Sequence, residues 1–154
     1  MTVGSSRFAL DALRDGHQHG LEQMRRLEEV AAAAEEPGDG GLRWAFDFFH
    51  GDMERHFREE EQVLFPALAR YIGWPGVLHA MMEEHRSLWK AIDALEKADN
   101  PTRTSNVARH IVWLLRSHIE KEDTVLLPLA ERTLNANELV EVGRQMEAPD
   151  RRDP

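Results

Sequence analysis

The chain has 154 residues, of which 42% are hydrophobic and 31% are charged, and its formal net charge is −9 with histidine neutral. This length and apolar content are typical of one compact domain with a buried core. The negative charge, with no Lys/Arg cluster longer than a pair, disfavours nucleic-acid and membrane partners. The chain has no cysteine, which excludes disulfides, iron–sulfur clusters and thiolate zinc sites.

Neither a membrane span nor a secretory leader is predicted. No run approaches the roughly 20 apolar residues that cross a bilayer, and the first residues lack the apolar region of a signal peptide before Asp11 and Arg14. The sequence therefore predicts a cytoplasmic protein.

Helix-breaking residues divide the chain into five predicted helices. Clusters of Gly, Pro, Asp and Asn mark the breaks at 36–41, 73–76 and 99–102. Four long helices are predicted at about 5–35, 42–72, 77–98 and 103–134, and a short fifth at about 137–147. Asn135 or Asn137 is the expected N-cap of the fifth helix. We expect one helical domain over residues 1–148 and a flexible tail over 149–154.

In each long helix the apolar positions recur at alternating steps of three and four, which predicts an all-α, antiparallel helical bundle. Ionisable residues interrupt these apolar stripes at similar depth. They are His17 in the first helix, His56 and Glu60 in the second, His85 in the third, and His118 and Glu122 in the fourth.

The second and fourth helices share an internal repeat. Residues 56–66 and 118–128 coincide at His, Glu, Val, Leu and Pro, and the first and third helices align more loosely about their histidines. Beyond the polar pair the buried stripe of the fourth helix is predicted to continue through Val125, and Pro66 and Pro128 are expected to shape their helices over the site. The pattern indicates two helical hairpins related by a pseudo-twofold axis.

A His-x-x-x-Glu pair lies on one helix face, so each pair points two polar groups into the bundle. Burying the two carboxylates without compensation would cost several kcal/mol each, and a cation supplies that compensation. Nitrogen and oxygen donors without sulfur suit iron, manganese or zinc, and carboxylates from opposite hairpins could bridge two ions. The predicted metal ligands are His17, His56, Glu60, His85, His118 and Glu122.

Other residues near this set have weaker support as ligands. Solvated or supporting roles are expected for Glu59, Glu61, Glu84 and Asp123, with ligation by Glu84 or Asp123 left open. Surface positions are expected for His19, His50, His79 and His110. Gly20 replaces a bulkier residue in the buried stripe and lies near Gly16, so we expect an opening for a small ligand beside the first helix.

These motifs resemble the hemerythrin-like family with its HHE cation-binding domains. The resemblance rests on His17, Glu84-His85, and the two His-x-x-x-Glu motifs with their following Leu-Phe-Pro and Leu-Leu-Pro, and extends over residues 10–130. It implies an up-down-up-down four-helix bundle holding two iron ions, a non-haem di-iron centre bridged by oxygen and by the two Glu carboxylates. It also implies chemistry with O2, NO or hydrogen peroxide.

The chain departs from the oxygen-carrying members of that family. They have His-x-x-x-His in the third helix, where this chain has Met81, and they end in His-x-x-x-x-Asp, which His118 and Asp123 could satisfy. Fewer nitrogen ligands would leave more than one open position on each iron. We therefore expect peroxide or NO reactivity, including catalase-like or peroxidase-like activity, or redox or iron sensing through a separate protein partner.

Two alternatives stay open: a reversible O2 carrier or storage protein, and a helical interaction module stabilised by zinc. A ferritin-like di-iron site is disfavoured, because that site needs Glu-x-x-His on two helices and no such motif occurs in this sequence.

Overall fold

The computed structural model describes residues 3–33 and 41–147, and within them the chain is helical without strands. Two of the helices contain π-helical turns, which are counted here as part of the helix. The five helices are α1 (Val3–Ala32), α2 (43–72), α3 (Val77–Lys97), α4 (101–133) and α5 (Ala136–Glu147). Their ends lie within a few residues of those predicted. The predicted tail at 149–154 lies outside the described residues.

Capping residues explain where the last two helices, α4 and α5, begin. Pro101 occupies the first position of α4, and the Asn100 side chain accepts a hydrogen bond from the backbone N–H of Arg103. Asn135 is the N-cap of α5, since its side chain accepts from the Glu138 N–H at 2.8 Å while the Glu138 carboxylate accepts from the Asn135 N–H at 2.9 Å. This capping box selects Asn135 over Asn137.

The four long helices form an antiparallel up-down-up-down bundle, as predicted. Near one end of the α1–α4 pair the Ser105 hydroxyl donates to the Ala31 carbonyl at 2.8 Å, and near the other end Arg14 pairs with Glu131. In α2 and α3, His50 pairs with Glu96 and Glu61 pairs with His85, so the later residue of one helix meets the earlier residue of the other. The same order relates α1 to α2, because Gly16 faces His56 and Gly20 faces Phe48. The short α5 packs along α1 outside the bundle, where Gly143 adjoins Ala9.

Two apolar clusters fill the bundle on either side of a polar layer. The first includes Met24, Leu27, Phe49, Leu88, Ile92 and Ile111. The second includes Leu10, Leu64, Phe65, Leu68, Leu78 and Leu126. In each long helix the predicted polar stripe residues lie at the boundary between the two clusters, so the fold places them at one level.

Both proline-containing helices widen into a π turn at their polar pair. The turns are Glu60–Leu64 in α2 and Glu122–Leu126 in α4, and each begins at a predicted ligand. Pro66 and Pro128 follow two residues after these turns. A proline lacks the N–H for the helical bond and its ring collides with the carbonyl four residues earlier, and a wider turn relieves both conflicts. The two prolines thus follow a locally widened helix, although the further π turn of α2, at Phe49–Met53, forms without a proline near it.

The π turns correct the predicted buried stripe beyond the site. Val125 was expected inside the bundle but is 50% exposed. Leu126 and Ala130 are fully buried instead, one residue later than the stripe of a regular helix. The same advance occurs in α2, where Leu64 and Leu68 are fully buried. The prediction was wrong because it assumed 3.6 residues per turn throughout, whereas a π turn accommodates one more residue.

Among the described residues, none of the helices combines the length and apolar character needed to cross a bilayer.

Candidate metal centre

The structure brings all six predicted ligands together in the polar layer between the apolar clusters. The carboxylates of Glu60 and Glu122 are fully buried, and their side-chain oxygens point at histidine nitrogens from all four helices. Of the four histidines, three are 1–2% exposed, and His56 is the most accessible at 14%.

The two oxygens of Glu60 face different histidines. Oε2 lies 3.3 Å from Nε2 of His56 and 3.9 Å from Nε2 of His17, whereas Oε1 lies 3.2 Å from Nε2 of His85. The carboxylate therefore stands between a histidine pair from α1 and α2 and a second pair from α3 and α4.

Glu122 has the same arrangement from the opposite hairpin. Its Oε1 is 2.9 Å from Nε2 of His17, and its Oε2 is 3.4 Å from Nε2 of His118. Two sets of ligand atoms result, within each of which all atoms lie within 4.8 Å of one another, and both sets contain Glu60 and Glu122. One set adds His17 and His56, and the other adds His85 and His118.

Unsatisfied polar atoms indicate that this layer fits a cation. Both oxygens of Glu60, Oε2 of Glu122 and Nε2 of His56 are buried without a hydrogen-bond partner. Such groups are rare in folded proteins because desolvation is costly. Imidazole and carboxylate donors that converge without sulfur are a suitable environment for iron, manganese or zinc.

Burial and charge set the protonation of the metal-free site. Burial alone would lower the pKa of His17, but its contacts with Glu122 and Glu60 outweigh that effect and raise the pKa to about 10. For His118 too, burial is outweighed by attraction to Glu122, and the pKa rises to about 10. Burial would raise the pKa of Glu60, but the neighbouring histidines, His56 foremost, hold it well below its usual value. Metal binding must therefore displace histidine protons.

Three of the four histidines donate a hydrogen bond from Nδ1, the ring nitrogen that faces away from the centre, to a carboxylate. Nδ1 of His17 donates to Asp123 at 2.6 Å, Nδ1 of His85 donates to Glu61 at 2.6 Å, and Nδ1 of His118 donates to Glu84 at 2.8 Å. We call Asp123, Glu61 and Glu84 the outer carboxylates. They orient each ring so that Nε2 faces the centre. Asp123 and Glu84, which the sequence left open as ligands, thus lie on the far side of the rings.

His56 is the exception. No residue in 3–33 or 41–147 offers a carboxylate to its Nδ1, and the backbone of Gly16 lies there instead. A Cβ atom built on Gly16 would be only 2.8 Å from this Nδ1. The ring of His56 therefore fits against α1 because residue 16 has no side chain.

The remaining histidines lie outside the polar layer, as predicted. His19, His50, His79 and His110 are exposed. Glu59 is half-buried, and burial raises its pKa.

A cavity of ≈160 Å³ reaches the polar layer between α1, α2 and α4. Its inner end is formed by His17, His56 and Glu122 among others, and Gly20 lies in its wall. His19 and Asp52, both well exposed, line its outer part and approach each other to 3.2 Å. The opening lies beside the first helix, where the glycines led us to expect it.

The fold and this site define a helical-bundle protein with a candidate cation site built from His and Glu. The family model of the hemerythrin HHE cation binding domain matches residues 9–130, and the chain belongs to this family. No curated protein and no solved structure is similar enough to count as a match.

Proposed function

We propose that the protein holds two iron ions, bridged by Glu60 and Glu122, and that this centre reacts with hydrogen peroxide or NO or senses redox state. The observation that carries the proposal is the placement of the two carboxylates, each with one oxygen toward each histidine pair. The ligands would be His17 and His56 for one ion and His85 and His118 for the other.

The donor set supports reactivity more than reversible carriage of O2. Each ion would receive two imidazole nitrogens and one oxygen from each Glu, which leaves positions open on iron for an external ligand. At the point where oxygen carriers have a further histidine, this chain has Met81, whose buried side chain offers only a weakly coordinating thioether. Iron with open positions supplies redox chemistry toward small oxygen and nitrogen species.

The chain's own residues would orient and admit the small ligand. The outer carboxylates hold Nδ1–H of three histidines and so keep their Nε2 atoms available for metal. The cavity that ends at His17 and His56 has room for a diatomic molecule or peroxide, and Phe48, Leu115 and Ile119 form an apolar part of its wall.

Titration of the reduced, iron-loaded protein tests the proposal. Peroxide, NO and O2 are added in separate experiments while absorbance and gas evolution are recorded. Sustained consumption of peroxide or NO supports an enzyme, and a single slow oxidation without turnover supports a sensor. A reversible oxygenated spectrum would favour the carrier, and protein that binds zinc but no iron would favour the metal-stabilised interaction module; both results contradict the proposal.

The proposed ligand is thus a small molecule. A protein partner is required only if the centre serves as a sensor, and co-purification with the oxidised and reduced protein tests for one. The proposed location is the cytoplasm, which fractionation of the producing cells tests.

A further inference from the structure

We infer that the two metal positions are unequal: the position at His85 and His118 binds its ion more tightly and fills first, whereas the position at His17 and His56 holds an exchangeable ion. This inference rests on the proposed two-metal centre. It concerns the order and strength of metal binding, which neither the shared carboxylates nor the family membership determines.

The first observation is a break in the pseudo-twofold symmetry. The repeat that aligns His56 with His118 and His17 with His85 also places Gly16 opposite Glu84. Glu84 accepts a hydrogen bond from Nδ1 of His118 and is itself held by Lys121 at 2.6 Å. Gly16 has no side chain to offer, so the matching support is missing at His56.

The number of outer carboxylates therefore differs between the two positions. His85 and His118 are both supported, by Glu61 and Glu84, whereas of the other pair only His17 is supported, by Asp123. A carboxylate behind a ligating histidine fixes the ring and its tautomer and makes Nε2 a stronger donor, and its loss costs about 10–100-fold in metal affinity.

The backbone prevents the missing support from being supplied at residue 16. A Cβ atom there would approach Nδ1 of His56 to 2.8 Å, closer than any ordinary contact. The close approach of α1 to this ring thus excludes the very side chain that would support it. The asymmetry is built into the packing of α1 against α2 as well as into the sequence.

The second observation is solvent access. His56 is 14% exposed, while His85 and His118 are each 1% exposed. The ≈160 Å³ cavity borders His17, His56 and His118, whereas a second cavity of ≈240 Å³ near α5 borders only His56 of the four histidines; His85 lines neither. Water and chelators can therefore reach the ion at His17 and His56 more directly, which favours its exchange.

Zinc titration of metal-free protein, followed through the histidine ring signals in NMR spectra, tests the order of filling. Two ions in one centre repel each other, so stepwise binding alone does not distinguish the positions. We expect the first equivalent of Zn²⁺ to shift the ring signals of His85 and His118, and the second to shift those of His17 and His56. Signals of all four rings moving together, or those of His56 moving first, would overturn the inference.

The variant Glu84→Gln provides a second test, with Glu83→Gln as the matched control. Glu83 is the exposed neighbour of Glu84 and pairs with Arg86 on the surface. Glu84→Gln should weaken binding of the first zinc equivalent about 10–100-fold. In this variant the ring signals of both histidine pairs should shift together as zinc is added. Glu83→Gln should change neither the affinity for the first zinc ion nor the order in which the ring signals shift. An unaltered first affinity in folded Glu84→Gln protein would contradict the role given to Glu84.

These outcomes separate the inference from the proposal on which it rests. If the wild-type protein binds one zinc ion per chain at saturation, the two-metal centre itself fails. If it binds two ions with equal affinities and no order among the histidines, only the inequality fails.

Discussion

At the scale of single residues, two buried carboxylates decide the character of the site. Glu60 and Glu122 are fully buried, and three of their four oxygens lack a hydrogen-bond partner. In the metal-free protein the raised pKa values of His17 and His118 keep positive charge beside them. A bound cation would replace those protons, so the same residues serve the metal-free and the metal-bound states.

Substitution of one histidine should remove one ion. His56→Ala is expected to lower the metal content from about two ions per chain to about one and to reduce the melting temperature of the loaded protein, because metal binding is coupled to folding. The exposed His110 offers a control, since His110→Ala should retain the full content. Elemental analysis and thermal unfolding measure both effects, and an unchanged metal content would remove His56 from the ligand set.

The metal-free protein should lose stability in alkali. The folded pKa values of His17 and His118 lie near 10, above the value of about 6.5 for an unfolded histidine. Their contribution to the free energy of unfolding is therefore complete below about pH 6.5 and is lost as the pH rises through about 10.

Denaturant unfolding of chelator-treated protein between pH 7 and 10 measures this loss. Metal-loaded protein is the comparison, because metal binds deprotonated imidazole and replaces the protons. Stability that stays constant over this range in the metal-free protein would contradict the assigned protonation.

At the scale of elements, the π turns determine which side chains face inward beyond the site. A repeat of three and four residues predicted the stripe correctly up to Glu122, since a regular helix connects those positions. It failed at Val125 because the extra residue of the turn Glu122–Leu126 advances every later position by one. Pro128 was the available signal, yet a proline alone does not specify whether a helix kinks, ends or widens.

A pair of neighbouring substitutions tests this phase change. Leu126→Ala should destabilise the protein by about 2–5 kcal/mol, because it empties a fully buried position. Val125→Ala, at a half-exposed position, should change the free energy of unfolding by less than about 0.5 kcal/mol. Urea unfolding measures both values, and equal or reversed effects would contradict the π turn in α4.

At the scale of the whole molecule, the polar layer lies between two apolar clusters and is reached by a cavity from one side. The bundle, its helix order and the convergence of six polar residues could be predicted, because periodicity reports which face of each helix is buried. The partners of the ring Nδ1 atoms could not be predicted, since Glu61, Glu84 and Asp123 reach neighbouring helices from flanking positions. Whether these carboxylates reach a ring Nδ1 depends on the distances between helices, which cannot be derived from a single sequence.

A larger side chain in the wall of the ≈160 Å³ cavity should slow the binding of small ligands to the centre. Gly20 lies in this wall, and a Cβ added there would be 3.4 Å from Ile119 and 3.8 Å from Phe48, which line the same cavity, so a larger side chain takes up space at this wall. Gly20→Leu should slow azide or peroxide binding to the iron-loaded protein several-fold, while leaving its metal content unchanged.

Gly51→Leu is the control for this prediction, because Gly51 is an exposed residue of α2 with no side-chain neighbour within 4 Å of a new Cβ. Stopped-flow absorbance compares the two variants with the wild type. Unaltered ligand kinetics in Gly20→Leu protein with full metal content would reject this route to the centre.

The proposed centre has two iron ions bridged by Glu60 and Glu122. Anomalous diffraction at the iron absorption edge, on crystals of protein purified from iron-replete cells, tests it most directly. We expect two iron peaks in the polar layer, one beside His17 and His56 and one beside His85 and His118. A single peak, or a signal that appears at the zinc edge and not at the iron edge, would contradict it.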